Sequence, residues 1–134
     1  MARGVRFRVV TSADADRARQ EARALAGDLG FNAADMEMVA LATRELATNL
    51  VRYAVGGCLS LAMLDEKGSV GIEIESRDAG PGIADLGQAL EDGFSTGGGL
   101  GSGLPGVRRL MDEFQVSSGP NGTQVKVRKW LRAR

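Results

Sequence analysis

Histidine is absent from the 134-residue sequence, and cysteine occurs once, as Cys58. Without histidine there is no phosphohistidine acceptor, no histidine metal site and no Ser-His or Cys-His dyad. A single cysteine forms neither an internal disulfide nor a cysteine zinc cage, and Cys58 reads as a small buried apolar residue. Net charge is lacking too. The 17 basic side chains balance 17 acidic ones, which argues against a mainly electrostatic grip on nucleic acid or an anionic membrane. No long apolar run is present: the longest uncharged stretch, residues 93–107, is too short and too rich in glycine to span a bilayer. The opening Met1-Ala2-Arg3-Gly4 lacks the apolar core of a signal peptide. The expectation is a cytoplasmic protein with neither nucleic acid nor membrane as partner.

What is present is a globular composition with one anomaly. Apolar residues make up 43% and charged residues 25%, as in folded soluble chains. The length fits a single domain, residues 1–134, that buries roughly two thirds of its unfolded surface without a disulfide or metal staple. The 19 glycines are about twice the usual share, and seven of them fall within residues 93–106. An excess so concentrated needs a local reason.

Residues 5–10 alternate Val5, Phe7 and Val9 with Arg6 and Arg8, the pattern of a half-buried strand. Thr11 and Asp14 resemble a capping box for a helix carrying Ala15, Ala18, Ala22, Leu25 and Leu29, which Gly30 ends. Asn32 is a good N-cap for a second helix to about Ala54, with Met36, Val39, Leu46 and Leu50 in its apolar stripe. Strands over 58–64 and 70–77 flank the turn Asp65-Glu66-Lys67-Gly68, a short helical piece is expected over 84–91, and Pro105 is placed to open a third helix over 105–113. A closing hairpin, 114–118 and 123–130, surrounds Gly119-Pro120-Asn121-Gly122. The order β-α-α-β-β-(short α)-α-β-β points to an α+β fold.

Three features carry chemistry. Glu45 and Asn49 lie four apart in Arg44-Glu45-Leu46-Ala47-Thr48-Asn49, which stacks a carboxylate and an amide on one helical face at the edge of the apolar stripe. A carboxylate there can take a proton and an amide oxygen can hold a hard cation; an ordinary solvated helix face has the same look. Asp78-Ala79-Gly80-Pro81-Gly82 follows a buried strand. Gly80 and Gly82 permit close approach of a flat ligand, and Asp78 can accept from an exocyclic amine, although a plain turn fits as well. Third, Gly97-Gly98-Gly99-Leu100-Gly101-Ser102-Gly103-Leu104-Pro105-Gly106 runs into a helix. Backbone N–H groups at 99, 101 and 103, with the helix N-terminus behind them, make a phosphate cradle; a flexible linker is the alternative. No Walker-type glycine-lysine pattern occurs, and the G-x-G-x-x-G match at 101–106 lacks the preceding buried strand of a dinucleotide fold.

In this order the three features resemble the N box and the two glycine boxes of the GHKL (Bergerat-fold) ATP-binding superfamily, over nearly the whole chain. The resemblance implies a two-layer α/β sandwich with a mixed, mostly antiparallel sheet and about three helices on one face. Within the superfamily, the run from Glu45 to Ala54, Asp92-Gly93-Phe94-Ser95-Thr96 and the run from Leu104 to Phe114 look like the RsbT-type serine kinases of stressosome partner switching. That likeness implies ATP and Mg²⁺ as cofactors, with Glu45 as general base, Asn49 on Mg²⁺, and Asp78 on the adenine amine. It places Gly80 and Gly82 against the ring and Thr123 near the base. It puts Gly99, Gly101, Ser102, Gly103 and Leu104 around the phosphates, and Phe94, Ser95, Thr96, Gly97 and Gly98 in a mobile lid. Ser102 stands where this group more often has an apolar residue.

The implied function is phosphorylation of a STAS-domain antagonist, followed by activation of a PP2C-type phosphatase. The alternative is a nucleotide-gated binding module or an anti-sigma factor of the RsbW kind. Those relatives have a longer, more charged segment between the glycine boxes, which argues against a sigma factor as partner. Lys126, Arg128, Lys129, Arg132 and Arg134 near one terminus, with Arg3, Arg6 and Arg8 near the other, make a basic rim for an acidic partner if the terminal strands lie together. Solubilising edge charges are the plainer reading.

Overall fold

Both local start signals are realised in the computed structural model, which describes residues 4–53, 57–79, 103–120 and 122–131. Strand β1 (Gly4–Val9) leads to helix α1 (Ser12–Leu29). At the join, Thr11 Oγ1 accepts from the Asp14 N–H at 3.2 Å, while Asp14 Oδ2 accepts from the N–H groups of Thr11 and Val10 at 3.0 and 2.9 Å. Those backbone donors hold the Asp14 carboxyl below the usual carboxylate range. Gly30 ends α1 at φ 101°, a left-handed conformation that costs glycine little. Asn32 Oδ1 then accepts from the Asp35 N–H at 2.8 Å and opens α2 (Ala33–Tyr53).

The remaining described elements are β2 (Gly57–Glu66), β3 (Ser69–Asp78), α3 (Gly103–Leu110), β4 (Glu113–Gly119) and β5 (Gly122–Trp130). The helical piece expected over 84–91 lies outside the described residues, as does Ala54. The third helix starts and stops earlier than the 105–113 expected from sequence. Pro105 still falls in its first turn, where backbone N–H groups have no helical acceptor. At the other end the strand ladder wins: the Asp112 N–H donates to the Arg128 carbonyl, and Asp112 Oδ2 accepts from the Trp130 N–H. Residues 113 onward are thereby drawn into β4.

The strands form one sheet in the order β1-β2-β3-β5-β4, and every described pairing is antiparallel. Phe7, Val9, Leu59, Leu61, Ile72, Ile74, Val125 and Val127 are buried from alternate strand positions. They share one core with Ala15, Ala18, Ala22 and Ala26 of α1 and with Val39, Leu46 and Leu50 of α2. Each fully buried aliphatic side chain of this kind contributes about 1.5–3 kcal/mol. The alanine stripe of α1 lets α2 pack closely beside it.

The other face of the sheet carries Arg8, Cys58, Arg77, Gln124 and Ser117 in one cross-strand row. Cys58 is therefore exposed, contrary to the reading from composition. With Leu59 and Leu61 turned inward, the period of two leaves Cys58 outward. The basic rim does not form among the described residues either, and Arg3, Arg132 and Arg134 lie outside them. Strands β2 and β3 separate β1 from β5, Arg128 is paired with Glu73 at 2.8 Å, and Lys129 is buried with Nζ donating to the Leu110 carbonyl at 2.9 Å. Among the described residues no helix is long and apolar enough to cross a membrane.

Candidate nucleotide site

Asp78 ends β3 half-buried on the helix-facing side, continuing the inward series Ile72, Ile74, Ser76. Its register neighbours are Gly57 on β2 and Thr123 on β5. Oδ1 accepts from the Thr123 N–H at 3.3 Å, and Thr123 Oγ1 lies 2.9 Å from Ser118 Oγ across the β4–β5 hairpin. The approach is tight because residue 122 is glycine. A Cβ there would stand 1.9 Å from the Asp78 carbonyl oxygen, and its φ of +131° is one that side chains disfavour.

A cavity of about 660 Å³ opens at this end of the sheet, lined by Asp78, Ala79, Gly122 and Thr123 together with Arg8, Arg77 and other residues of the outer face. On that outer side Glu75 is joined by Arg77 at 3.2 Å and by Gln124 Nε2. Burial pushes the Glu75 carboxyl up, but these hydrogen bonds and the charge of Lys126 outweigh it and hold it below its ordinary range.

Glu45 and Asn49 lie one turn apart on α2, both half-buried, beside the buried Leu46 and Leu50. Glu37, Glu66, Glu73 and Glu75 are the glutamates engaged in ion pairs among the described residues, so Glu45 keeps its carboxylate unpaired there. Helix α3 packs on α2. It begins with Gly103 and the buried Leu104 and is held at its far end by Lys129. The structure thus makes Asp78 and Thr123 register neighbours joined by a hydrogen bond, with the cavity reaching them mainly from the outer face of the sheet, and it puts Glu45 and Asn49 on the helix that supports α3. Glu45, Asn49, Gly103 and Leu104 do not line that cavity. Gly80, Gly82, Phe94, Ser95, Thr96, Gly97, Gly98, Gly99, Gly101 and Ser102 lie outside the described residues.

A family model described as Histidine kinase-like ATPase domain matches residues 10–129. The chain belongs to the histidine kinase-like ATPase family. It is therefore an ATP-binding domain by family. It is 45% identical over 126 residues to the serine/threonine-protein kinase RsbT of Bacillus subtilis (strain 168), covering 93% of this chain and 95% of that one. Among solved structures, the RsbU and RsbW domains of Rv1364c from Mycobacterium tuberculosis superpose with a TM-score of 0.68 at 16% identity, covering 98% of this chain and 34% of that chain. The histidine kinase domain of the Erythrobacter litoralis EL346 blue-light-activated histidine kinase superposes at 0.54 with 22% identity, over 88% of this chain and 63% of that one. Both share the family fold of three helices on an antiparallel sheet.

Two residues of this ATPase domain escaped the sequence reading. Ser76 is 5% exposed on the inner face two positions before Asp78, as the alternation of β3 would have told. Ser118 faces Thr123. The pairing of Gly119 with Gly122 sets that register, so counting back from the expected Gly119–Gly122 turn finds it.

Among the described residues no cluster of three or more acidic, cysteine or histidine side chains could hold a metal ion unaided. A lone amide such as Asn49 suits Mg²⁺, which keeps waters and phosphate oxygens as its other ligands.

Proposed function

We propose that this chain is an ATP- and Mg²⁺-dependent protein-serine kinase. Its substrate in this reading is a STAS-domain antagonist of a bacterial partner-switching stress pathway, and after release it activates a PP2C-type phosphatase. The observation that carries the reading is the 45% identity, over nearly the full length of both chains, to a serine/threonine-protein kinase.

In this reading each site residue has a role. Asp78 accepts from the adenine amine, with Gly80, Gly82 and Thr123 completing the base pocket. The backbone around Gly99, Gly101, Ser102, Gly103 and Leu104 holds the phosphates at the start of α3, where helix N–H groups lack internal acceptors. Asn49 would hold Mg²⁺, which when bound supplies positive charge to the phosphate oxygens. Glu45 takes the proton of the attacking serine hydroxyl from the neighbouring turn of the same helix. Phe94, Ser95, Thr96, Gly97 and Gly98 close over the nucleotide. Phosphoryl transfer is mostly positioning and charge stabilisation, so a backbone cradle, one cation and one base suffice.

The test is γ-phosphate transfer from Mg²⁺·ATP to a STAS-domain protein, with Glu45→Gln in parallel. Serine labelling that falls about 10²–10⁴-fold in the variant, with ATP affinity kept, is the expected result. Nucleotide-dependent complex formation without labelling would replace the kinase with a binding switch.

A further inference from the structure

We infer that Ser118 is a positioning residue for purine selectivity, orienting the Thr123 hydroxyl so that the site reads adenine and rejects guanine. The inference rests on the proposal that Asp78 and Thr123 receive the base of ATP, and it adds the residue that decides which way Thr123 points.

The argument begins with the hairpin. Gly119 pairs with Gly122, which places Ser118 directly opposite Thr123 on the helix-facing side of the sheet. The two hydroxyl oxygens are 2.9 Å apart and partly buried, a hydrogen bond in which either can be the donor. Thr123 is at the same time fixed from the other side, where its N–H donates to Asp78 Oδ1. The backbone at 122–123 cannot drift from Asp78 without opening the contact that Gly122 makes possible. What these contacts leave open is the direction in which the Thr123 O–H points.

A hydroxyl carries one hydrogen and two lone pairs. If Ser118 donates to Thr123, the Thr123 hydrogen is released toward the ligand and seeks an acceptor. If Thr123 donates to Ser118, only lone pairs face the ligand and a donor is preferred. An adenine edge offers an amine hydrogen beside a ring-nitrogen acceptor, matching a carboxylate beside an O–H donor. A guanine edge offers a carbonyl oxygen beside a ring N–H, the reverse at both places, and sets its oxygen against the Asp78 carboxylate. The adenine match therefore requires the first orientation, with Ser118 as donor. Sites built on such complementary pairs discriminate strongly because the wrong ligand leaves buried polar groups unpaired.

The experiment measures dissociation constants of Mg²⁺·ATP and Mg²⁺·GTP for the full chain, for Ser118→Ala and for Ser118→Thr, with melting temperatures recorded nucleotide-free. Alanine leaves Thr123 free to turn either way. ATP should then bind roughly three- to tenfold more weakly, the loss expected for one neutral hydrogen bond. GTP affinity should hold or improve, so that the ratio narrows. Threonine keeps the hydroxyl and should restore the wild-type ratio. An unchanged ATP-to-GTP ratio in Ser118→Ala overturns the inference, and so does an equal fall for both nucleotides accompanied by a lowered melting temperature. Asp78→Asn separates the two levels. If it leaves ATP binding unaltered, the adenine pocket itself is misplaced and Ser118 falls with it. If it weakens ATP while Ser118→Ala does not, only the role of Ser118 is lost.

Discussion

Gly122 and Asp78 are in closer contact than any pair with side chains between them could be, since a Cβ at residue 122 would lie 1.9 Å from the Asp78 carbonyl oxygen. Gly122→Ala must therefore push β5 away from β3 at this end and strain a positive φ as well. We expect a loss of more than about 1 kcal/mol in folding stability. ATP affinity should fall about tenfold or more as Thr123 leaves Asp78. Denaturant unfolding and nucleotide titration of the one variant check both.

Asp78→Asn replaces a carboxylate acceptor with an amide while keeping the shape. A charge-assisted hydrogen bond is worth about 1.5–3 kcal/mol, so ATP should bind roughly tenfold more weakly or worse. Thermal unfolding without nucleotide should change far less than ATP affinity does. Calorimetric titration with ATP is the direct measure, and unaltered affinity would remove the adenine assignment.

The capping box of α1 predicts a specific acid response. The Asp14 carboxyl is lowered by the N–H groups of Val10 and Thr11. A carboxylate lowered by folding contributes stability that is present above its unfolded value, near 4, and is lost as pH falls through the lower folded value. Asp14→Ala should melt below the wild type at neutral pH, with the two curves converging as pH drops below about 4. Thr11→Ala removes the reciprocal half of the box and should cost about 0.5–2 kcal/mol.

Lys129 offers a contrast between charge and bulk. It is 6% exposed, and its ammonium meets the last carbonyl of α3 at Leu110. Lys129→Met gives up that bond but also the cost of burying an ammonium, so stability should stay within about 1 kcal/mol of wild type. Lys129→Ala also removes the apolar stem that fills the space beneath α3, and should cost about 2 kcal/mol or more. Equal losses in the two variants, measured by urea unfolding, would show that the bond and not the stem matters.

The parts of the fold legible in the sequence are those decided within a few residues. Thr11 with Asp14, Gly30, Asn32 and the Gly119–Gly122 turn each settle a boundary through local hydrogen bonds or backbone freedom. The position of β5 between β3 and β4 is not local. It depends on Ile74 meeting Val127 and Ser76 meeting Val125, and spacing along the chain does not encode that pairing. The basic rim is absent among the described residues for this reason: β2 and β3 lie between β1 and β5, and Glu73 on β3 pairs with Arg128. Cys58 departs for another reason: cysteine is buried on average, but the alternation of β2 turns position 58 outward. For the candidate site, residue types at Glu45, Asn49 and Asp78 could be read directly, whereas Ser118 is reached only by counting back through the hairpin register from the Gly119–Gly122 turn.

The strand order also has a consequence for biosynthesis. Asp78 leaves the ribosome together with α1, α2 and its neighbours in β2 and β3, but Thr123 and Ser118 arrive on the last two described strands. A nascent chain halted before residue 122 holds the carboxylate without the backbone that steadies it. Because folding proceeds as the chain emerges, affinity for the base should appear late and abruptly, when β5 slots between β3 and β4. A nucleotide that binds the finished sheet and not the unfinished chain stabilises the finished one by mass action, so ATP added during synthesis should protect the completed chain and leave one halted before residue 122 unchanged.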